Sequence, residues 1–230
     1  MNRDILAQMG HKAAEELKDH QYRLLADVPG AEIWRCQTPG SIHMAFDICI
    51  TRFGIAVFGD IGSLTFSVGA SYGIKFLAGT DGDYIYRKLE PSSKETDFDR
   101  NGFVTHVQLA ICNLVSTKYE TAPAWMDESA ERERHMAELE PWLLKHAKEA
   151  EIAALHVALR EATAYTADSS PSAAHEWLDD HEELLEVSDT WEWNLRKPTD
   201  SVCRRLARVR HAAQYIHALK IAQQPEVTTQ

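Results

Sequence analysis

The segment DFDRNGFVTHVQ, residues 97–108, carries the side chains of a calcium loop in its first half. The first, third and fifth positions of an EF-hand loop are occupied by Asp97, Asp99 and Asn101. The twelfth position is Gln108, which has no carboxylate to close the calcium shell, and Pro91 interrupts the helix that should enter the loop. We therefore predict that the second or third of these side chains caps a helix starting near Gly102, and we keep all three as an alternative metal site.

Other carboxylates offer a second kind of metal chemistry. A metal-dependent hydrolase or nuclease would use Asp60, Asp81, Asp83 and Asp97, because clustered carboxylates hold the divalent ions that activate water. The Gly-Asp-Ile-Gly segment at 59–62 lacks the spacing and the lysine of a phosphate loop; glycines inside a strand are typical of a bulge or a close approach of backbones. No serine, cysteine or histidine stands in a catalytic or zinc-binding motif, so we assign no catalytic residue and expect no cofactor.

Charge is distributed unevenly along the chain. Residues 1–118 hold 12 Lys and Arg against 14 Asp and Glu, residues 119–192 hold 5 against 19, and residues 193–230 hold 7 against 2. An acidic surface repels nucleic-acid phosphates, so direct binding of DNA or RNA is disfavoured. The side chains that could still contact a nucleic acid are Arg204, Arg205 and Arg208, in the last predicted helix.

The helical half combines this acidity with aromatic side chains. Residues 119–230 hold five of the six tryptophans, and exposed tryptophan is enriched at protein interfaces. The candidate partner-binding residues are Glu131, Glu138, Trp177, Asp179, Asp180, Trp191 and Trp193.

Hydrophobic periodicity separates a β-rich part of the chain from a helical part. Apolar residues at helical spacing predict a first helix over residues 3–26. Three runs within residues 31–67, separated by turn residues, predict an antiparallel three-stranded meander, and most of the rest is predicted to be helical. We predict an α+β fold, with an α+β domain over 1–118 and a helical bundle over 119–230 that could pack as one unit with it.

The last predicted helix carries an apolar stripe, formed by Val202, Leu206, Val209, Ala213 and Ile216. Such a stripe packs within its own domain or forms the seam of a homodimer, and we favour its own domain. The four scattered cysteines are predicted to be reduced, packed thiols. No apolar run approaches the roughly 20 residues of a membrane-spanning helix, so we expect a cytoplasmic protein with no membrane partner.

The meander sequence IWRCQTPGSIHMAFDICITRFGIAVFGDIGSLTF, from Ile33 to Phe66, resembles the N-terminal core of a family of bacteriophage- and prophage-encoded proteins with no established activity. The likeness rests on the Cys-x-x-Pro-Gly, Phe-Asp-Ile and Gly-Asp-Ile-Gly segments and covers about 35 of the 230 residues. It implies a phage accessory protein acting in the cytosol of a bacterial host. By analogy, small acidic phage proteins without catalytic motifs often inhibit host enzymes.

These observations favour one functional hypothesis over two others. The preferred one is a non-enzymatic binding protein that inhibits a host or anti-phage defence complex through its acidic, tryptophan-containing surface. The first alternative is the metal-dependent hydrolase or nuclease built on the four aspartates. The second alternative is a protein that binds a nucleotide signal between its sheet and its helices.

Overall fold

The computed structural model describes residues 3–69, 71–79, 82–127, 129–166 and 169–223. The chain divides into two compact units: unit 1 comprises Met1–Thr96 and Pro198–Gln230, and unit 2 comprises Asp97–Lys197. Each unit contains a hydrophobic core of its own. The fold is α+β, as the sequence predicts, with a sheet near the N-terminus and a mainly helical C-terminal half.

The helices and strands follow one another in a simple order. The first part of the chain contains α1 (Arg3–Glu16), β1 (Gln21–Val28), β2 (Ala31–Gln37), β3 (Phe46–Thr51), β4 (Gly54–Gly59), β5 (Leu64–Phe66), α2 (Gly73–Gly79), α3 (Gly82–Arg87) and β6 (Thr96–Phe98). The rest contains α4 (Arg100–Lys118), α5 (Ser129–His135), α6 (Leu139–His146), α7 (Ala150–Ala164), α8 (Pro171–Asp180), α9 (Glu182–Leu185), β7 (Arg196–Pro198) and α10 (Asp200–Ala222). Short 3₁₀ turns lie at Pro91–Ser93, Ala124–Met126, Met136–Glu138 and Thr190–Glu192.

The sheet of unit 1 is an antiparallel meander of five strands in the order β1-β2-β3-β4-β5. In β3 the side chains of Phe46, Ile48 and Ile50 are buried, and those of Asp47 and Cys49 between them are partly exposed. This is the two-residue period of a strand with one buried face. The buried face belongs to the same core as the apolar side chains of α2 and α10.

The meander has two strands more than the sequence predicts. The first helix ends at Glu16, not near residue 26, and residues 21–28 form β1, in which Tyr22 pairs with Cys36. The apolar residues of this segment fit a helix and a strand equally well, and pairing with β2 decides between them. The predicted third strand, over 55–67, is two strands, because the chain turns at Asp60 and Gly62.

Gly59 shows why a glycine interrupts this strand. Its φ is +146°, and a Cβ there would lie 2.3 Å from the carbonyl oxygen of Ala45 and 2.5 Å from the Cα of Phe46. The backbones therefore approach too closely for any side chain, which confirms the predicted close approach. The next residue, Asp60, accepts a hydrogen bond from the N–H of Met44 at 2.7 Å and supports the left-handed backbone of that residue, φ 57°.

The units divide the chain differently from the predicted domains 1–118 and 119–230. Helix α4, before the predicted boundary, buries Phe103, Val107 and Ile111 in the core of unit 2. Helix α10, well after it, buries its apolar stripe in the core of unit 1, so the stripe packs within the chain, as favoured, but with the sheet and not with the predicted domain 119–230. The chain passes between units at Thr96/Asp97 and at Lys197/Pro198, within the paired strands β6 and β7.

Two further predictions concern the core and membranes. Cys36, Cys112 and Cys203 are buried, Cys49 is partly exposed, and all four are free thiols, as predicted. Across the described residues, none of the helices combines the length and the apolar character that crossing a membrane requires.

Candidate functional site

The calcium-like segment, residues 97–108, contains the N-terminal cap and the first turns of α4. The Oδ1 of Asp99 accepts a hydrogen bond from the N–H of Gly102 at 3.1 Å and caps α4, as the sequence predicts. Gly102 serves this cap, because a Cβ at that position would lie 2.5 Å from the Oδ2 of Asp99. The N–H of Asp99 in turn donates to the carbonyl oxygen of Leu195 at 2.8 Å.

The described carboxylates of the metal hypothesis are not gathered at one site. Asp97 is exposed in β6, Asp60 bonds to Met44, and Asp83 lies 3.4 Å from the guanidinium of Arg87. Asp81 lies outside the described residues. Within the described ranges, no group of three or more His, Cys, Asp or Glu side chains is arranged to hold a metal ion. The side chain of Asn101 lies 3.5 Å from the guanidinium of Arg100.

The residues of two further predictions have structural roles. Apolar side chains occupy the place of the predicted nucleotide pocket, and two of the three arginines predicted to contact nucleic acid form ion pairs within unit 1. Apolar side chains such as Ile48, Val57 and Leu64 fill the core behind the sheet of unit 1. The guanidinium of Arg205 is 2.5 Å from Glu95, and that of Arg208 is 2.8 Å from Glu16. These two arginine side chains are only 12% and 17% exposed, so their charge is used within unit 1; Arg204 is exposed.

The predicted partner-binding acids fall into two sets with different surroundings. Glu131 and Glu138 lie on the segment of α5 and the turn after it, where they contact Arg134 and His135 at 2.8 Å each. The hydrogen bond to Glu138 is the main reason why the pKa of His135 is raised above its ordinary value. The charge of this first set is therefore partly balanced by neighbours on the same segment.

The second set lies on α8 and the turn that contacts it. Asp179 and Asp180 are exposed at the C-terminal end of α8, and Asp179 accepts a hydrogen bond from the hydroxyl of Thr190 at 3.3 Å. The neighbouring Trp191 is 72% exposed. Trp193 is half-buried and stacks on the imidazole of His106, with ring centroids 4.8 Å apart. The structure thus brings Asp179 and Trp191 onto adjoining elements.

A depression of about 400 Å³ lies between the end of α7, the segment that precedes α8, and α8 itself. It is lined by Glu161, Ala164, Tyr165, Ser169 and Trp177. The indole Nε1–H of Trp177 donates to Oε2 of Glu161 at 3.1 Å. The depression therefore combines two aromatic rings with a carboxylate that is half exposed.

His181 holds the indole in place. Its ring stacks on that of Trp177, with centroids 4.0 Å apart and an interplanar angle of 20°. Its Nδ1 lies 2.8 Å from the carbonyl oxygen of Trp177, and because a carbonyl only accepts, this nitrogen carries a hydrogen. Its Nε2 is 3.3 Å from Oε2 of Glu161. His181, Trp177 and Glu161 thus form one connected group.

The calcium-like segment supports the floor of the depression. Arg100, the residue after the cap of α4, donates to the carbonyl oxygens of Thr163 and Tyr165 at the end of α7. A cation is favoured there, because the last carbonyls of a helix are unpaired and carry partial negative charge. Below, the ring of Phe103 packs on Tyr165 and on Trp177, at centroid distances of 5.0 and 5.5 Å.

Carboxylates act on the phenol of Tyr165. The pKa of Tyr165 is raised above its ordinary value, first by burial and then by the carboxylates of Glu176, Glu161 and Asp180. The Tyr165 hydroxyl donates to the carbonyl oxygen of Ala173 at 3.0 Å, so the phenol stays neutral and fixed. Three carboxylates therefore act on this small region.

Sequence reasoning selected Trp177 and Asp180 for this region but missed Glu161 and Tyr165. A usable signal was present in the Trp-x-x-x-His spacing of Trp177 and His181, which places an indole and an imidazole on one helix face. No sequence signal joins the end of α7 to α8, because the packing on Phe103 creates that proximity. Comparison with protein-family models, curated proteins and solved structures found no match to this chain.

Proposed function

We propose that this chain is a non-enzymatic binding protein whose unit 2 contacts a basic surface of a partner protein. The observation that supports this proposal most directly is that residues 176–192 contain eight Asp and Glu and no Lys or Arg. Most of these carboxylates are exposed, and the exposed indole of Trp191 lies among them in the chain. Aromatic anchors within a charged rim are the usual composition of an interface.

The position of these charges on their helix strengthens the proposal. Asp179 and Asp180 occupy the last turn of α8, where the helix macrodipole is negative and no basic side chain is present. Carboxylates at this end lower helix stability by about 0.3–1 kcal/mol each at low salt. A partner that supplies cations would relieve this repulsion, so the arrangement suits binding better than folding.

The resemblance of residues 33–66 supplies the biological setting of the proposal. In that setting the protein is produced by a phage or prophage in a bacterial cell and occupies a basic surface of a host or anti-phage defence complex. Defence complexes that handle nucleic acids must present basic surfaces to phosphates, and an acidic protein competes for such surfaces. Electrostatic attraction between the two would speed their encounter and weaken with salt.

The experiment compares two double variants with the same change in charge. In the first, Asp179→Lys and Asp180→Lys reverse the unbalanced pair on α8; in the second, Glu131→Lys and Glu138→Lys reverse the partly balanced pair. Each protein is used to capture partners from phage-infected bacteria, and partners are identified by mass spectrometry. Affinity for each captured partner is then measured at several salt concentrations.

We expect the α8 variant to lose the partner, and the control variant to keep most of the binding. Affinity of the unaltered protein should fall steeply as salt rises. Partner capture that is equal for the unaltered protein and the α8 variant, with no dependence on salt, would contradict the proposal. Thermal melting of both variants checks that they remain folded.

A further inference from the structure

We propose that the depression formed by Trp177, Tyr165 and Glu161 is a subsite for one arginine side chain of the partner protein. This inference rests on the proposed function, because it names the chemistry of the partner that unit 2 contacts. The three groups that form the site match the properties of a guanidinium.

The aromatic surface suits a flat cation. His181 stacks on one face of the Trp177 indole and does not line the depression, and Phe103 contacts the same indole from the core; the part of the indole that neither ring covers faces the depression. Tyr165 provides a second ring, and Ala164 contributes only a methyl group to the lining of the depression. A guanidinium stacks on such rings through its planar face, and the attraction is strongest on tryptophan.

The carboxylate of Glu161 is positioned to bind the same guanidinium. Its Oε2 is occupied by the Nε1–H of Trp177, but no described residue donates to its Oε1. A guanidinium lying on the indole would reach this oxygen with one N–H, as a charge-assisted hydrogen bond. Glu176 and Asp180 add negative charge around the ring of Tyr165.

The site is held in its binding shape before any partner arrives. The indole is fixed by Glu161, by His181 and by a T-shaped contact with the ring of Phe103, and the Tyr165 hydroxyl is bonded to Ala173. Few side chains therefore need to be ordered on binding, which lowers the entropic cost of association. Arginine fits better than lysine, because an ammonium is more strongly hydrated and lacks a planar face to stack.

The test uses the full chain with ¹⁵N-labelled tryptophan and the tripeptides acetyl-Gly-Arg-Gly-amide and acetyl-Gly-Lys-Gly-amide. NMR resolves the indole N–H signals of the six tryptophans, and Trp177→Phe identifies the signal of Trp177. Trp191 is the internal control, because it is exposed in the same acidic region and makes no hydrogen bond to a carboxylate among the described residues.

We expect the arginine peptide to shift the Trp177 signal more than the Trp191 signal, with roughly fivefold tighter binding than the lysine peptide. Glu161→Gln should weaken arginine binding roughly fivefold, since it keeps an acceptor for the indole N–H and removes only the charge. Its melting temperature verifies the fold, whereas Trp177→Phe also disturbs packing on Phe103.

Several outcomes would overturn the subsite. They are equal shifts at Trp191 and Trp177, equal affinity for the two peptides, and arginine binding that Glu161→Gln leaves unchanged. If any of these occurs while partner capture still depends on Asp179 and Asp180, the subsite is wrong and the proposed function stands. If the subsite binds arginine but partner capture ignores the α8 charges, the proposed function is wrong.

Discussion

The two units of this chain use charge in different ways. Unit 1 holds 15 Lys and Arg against 14 Asp and Glu, and three of the five basic residues on α10 pair with acids far away in the chain, as in Arg208–Glu16 and Lys220–Glu32. Unit 2 holds 9 against 21; ion pairs such as Lys118–Glu151 also join its elements, but its acids outnumber the available cations. Charge is therefore nearly balanced in unit 1, whereas unit 2 has a net charge of −12.

The tryptophans follow the same division. Unit 2 contains five of the six tryptophans, and four of these stack on a histidine. Unit 1 contains only Trp34, which is buried in its core. Both units have a hydrophobic core, and unit 2 adds to it tryptophan–histidine stacks in a region where acids outnumber bases.

The largest expected effect concerns the backbone of unit 1. Gly59→Ala should lower the free energy of unfolding by about 3 kcal/mol, because its Cβ would collide with the backbone at Ala45 and Phe46. The control is Gly30→Ala, where φ is +89° and nothing lies within 4 Å; it should cost about 1 kcal/mol. Urea unfolding measures both, and equal losses would mean that the close approach at Gly59 is relieved cheaply.

The next largest effect is the loss of stability expected when the N-terminal cap of α4 in unit 2 is removed. Asp99→Ala should lower stability by about 1 kcal/mol through the lost bond to Gly102. Asp97→Ala, an exposed neighbour, should change it by less than about 0.5 kcal/mol. If both cost the same, and if Ca²⁺ raises the melting temperature, the segment binds metal after all, because a ligand of the native state must stabilise it.

A smaller effect tests the surplus charge of unit 2. The Nζ of Lys118 lies 2.7 Å from Glu151 and 2.5 Å from Glu186, so Lys118→Met leaves two carboxylates without their shared cation. We expect a small loss of stability at low salt that shrinks as NaCl screens the repulsion. Lys220→Met, which frees only Glu32, is the control in unit 1 and should depend less on salt.

The smallest effect is the response of unit 2 to acid. Burial lowers the pKa of His106 below its ordinary value of 6.5, so its stabilising contribution is complete above pH 6.5 and is lost as the pH falls through its folded pKa. The pKa of His135 is raised, so its contribution has the opposite sign. The free energy of unfolding should therefore fall less between pH 7.5 and pH 5.5 in His106→Gln than in the unaltered protein, and fall more in His135→Gln. Urea unfolding at the two pH values measures both changes.

Sequence reasoning succeeded where neighbours in the chain decide the outcome. The cap at Asp99 depends on residues a few positions apart. The contact at Gly59 is with Ala45 and Phe46 on the neighbouring strand, but the glycine itself indicated it. It was wrong for β1, because residues 21–28 satisfy two periodicities and only pairing with β2 selects one. It selected Trp177 and Asp180 at the surface but missed Tyr165, whose role comes from packing on Phe103.

The amino-acid sequence alone determined the α+β class, the alternation of the central strands, the helix cap and the excess of acid over base between residues 119 and 192. These properties are local or additive along the chain. The tertiary structure decided that α10 completes the core of unit 1, and that Glu161, Tyr165 and Trp177 line one depression. Such groupings arise from long-range burial of apolar side chains, which no spacing in the chain encodes.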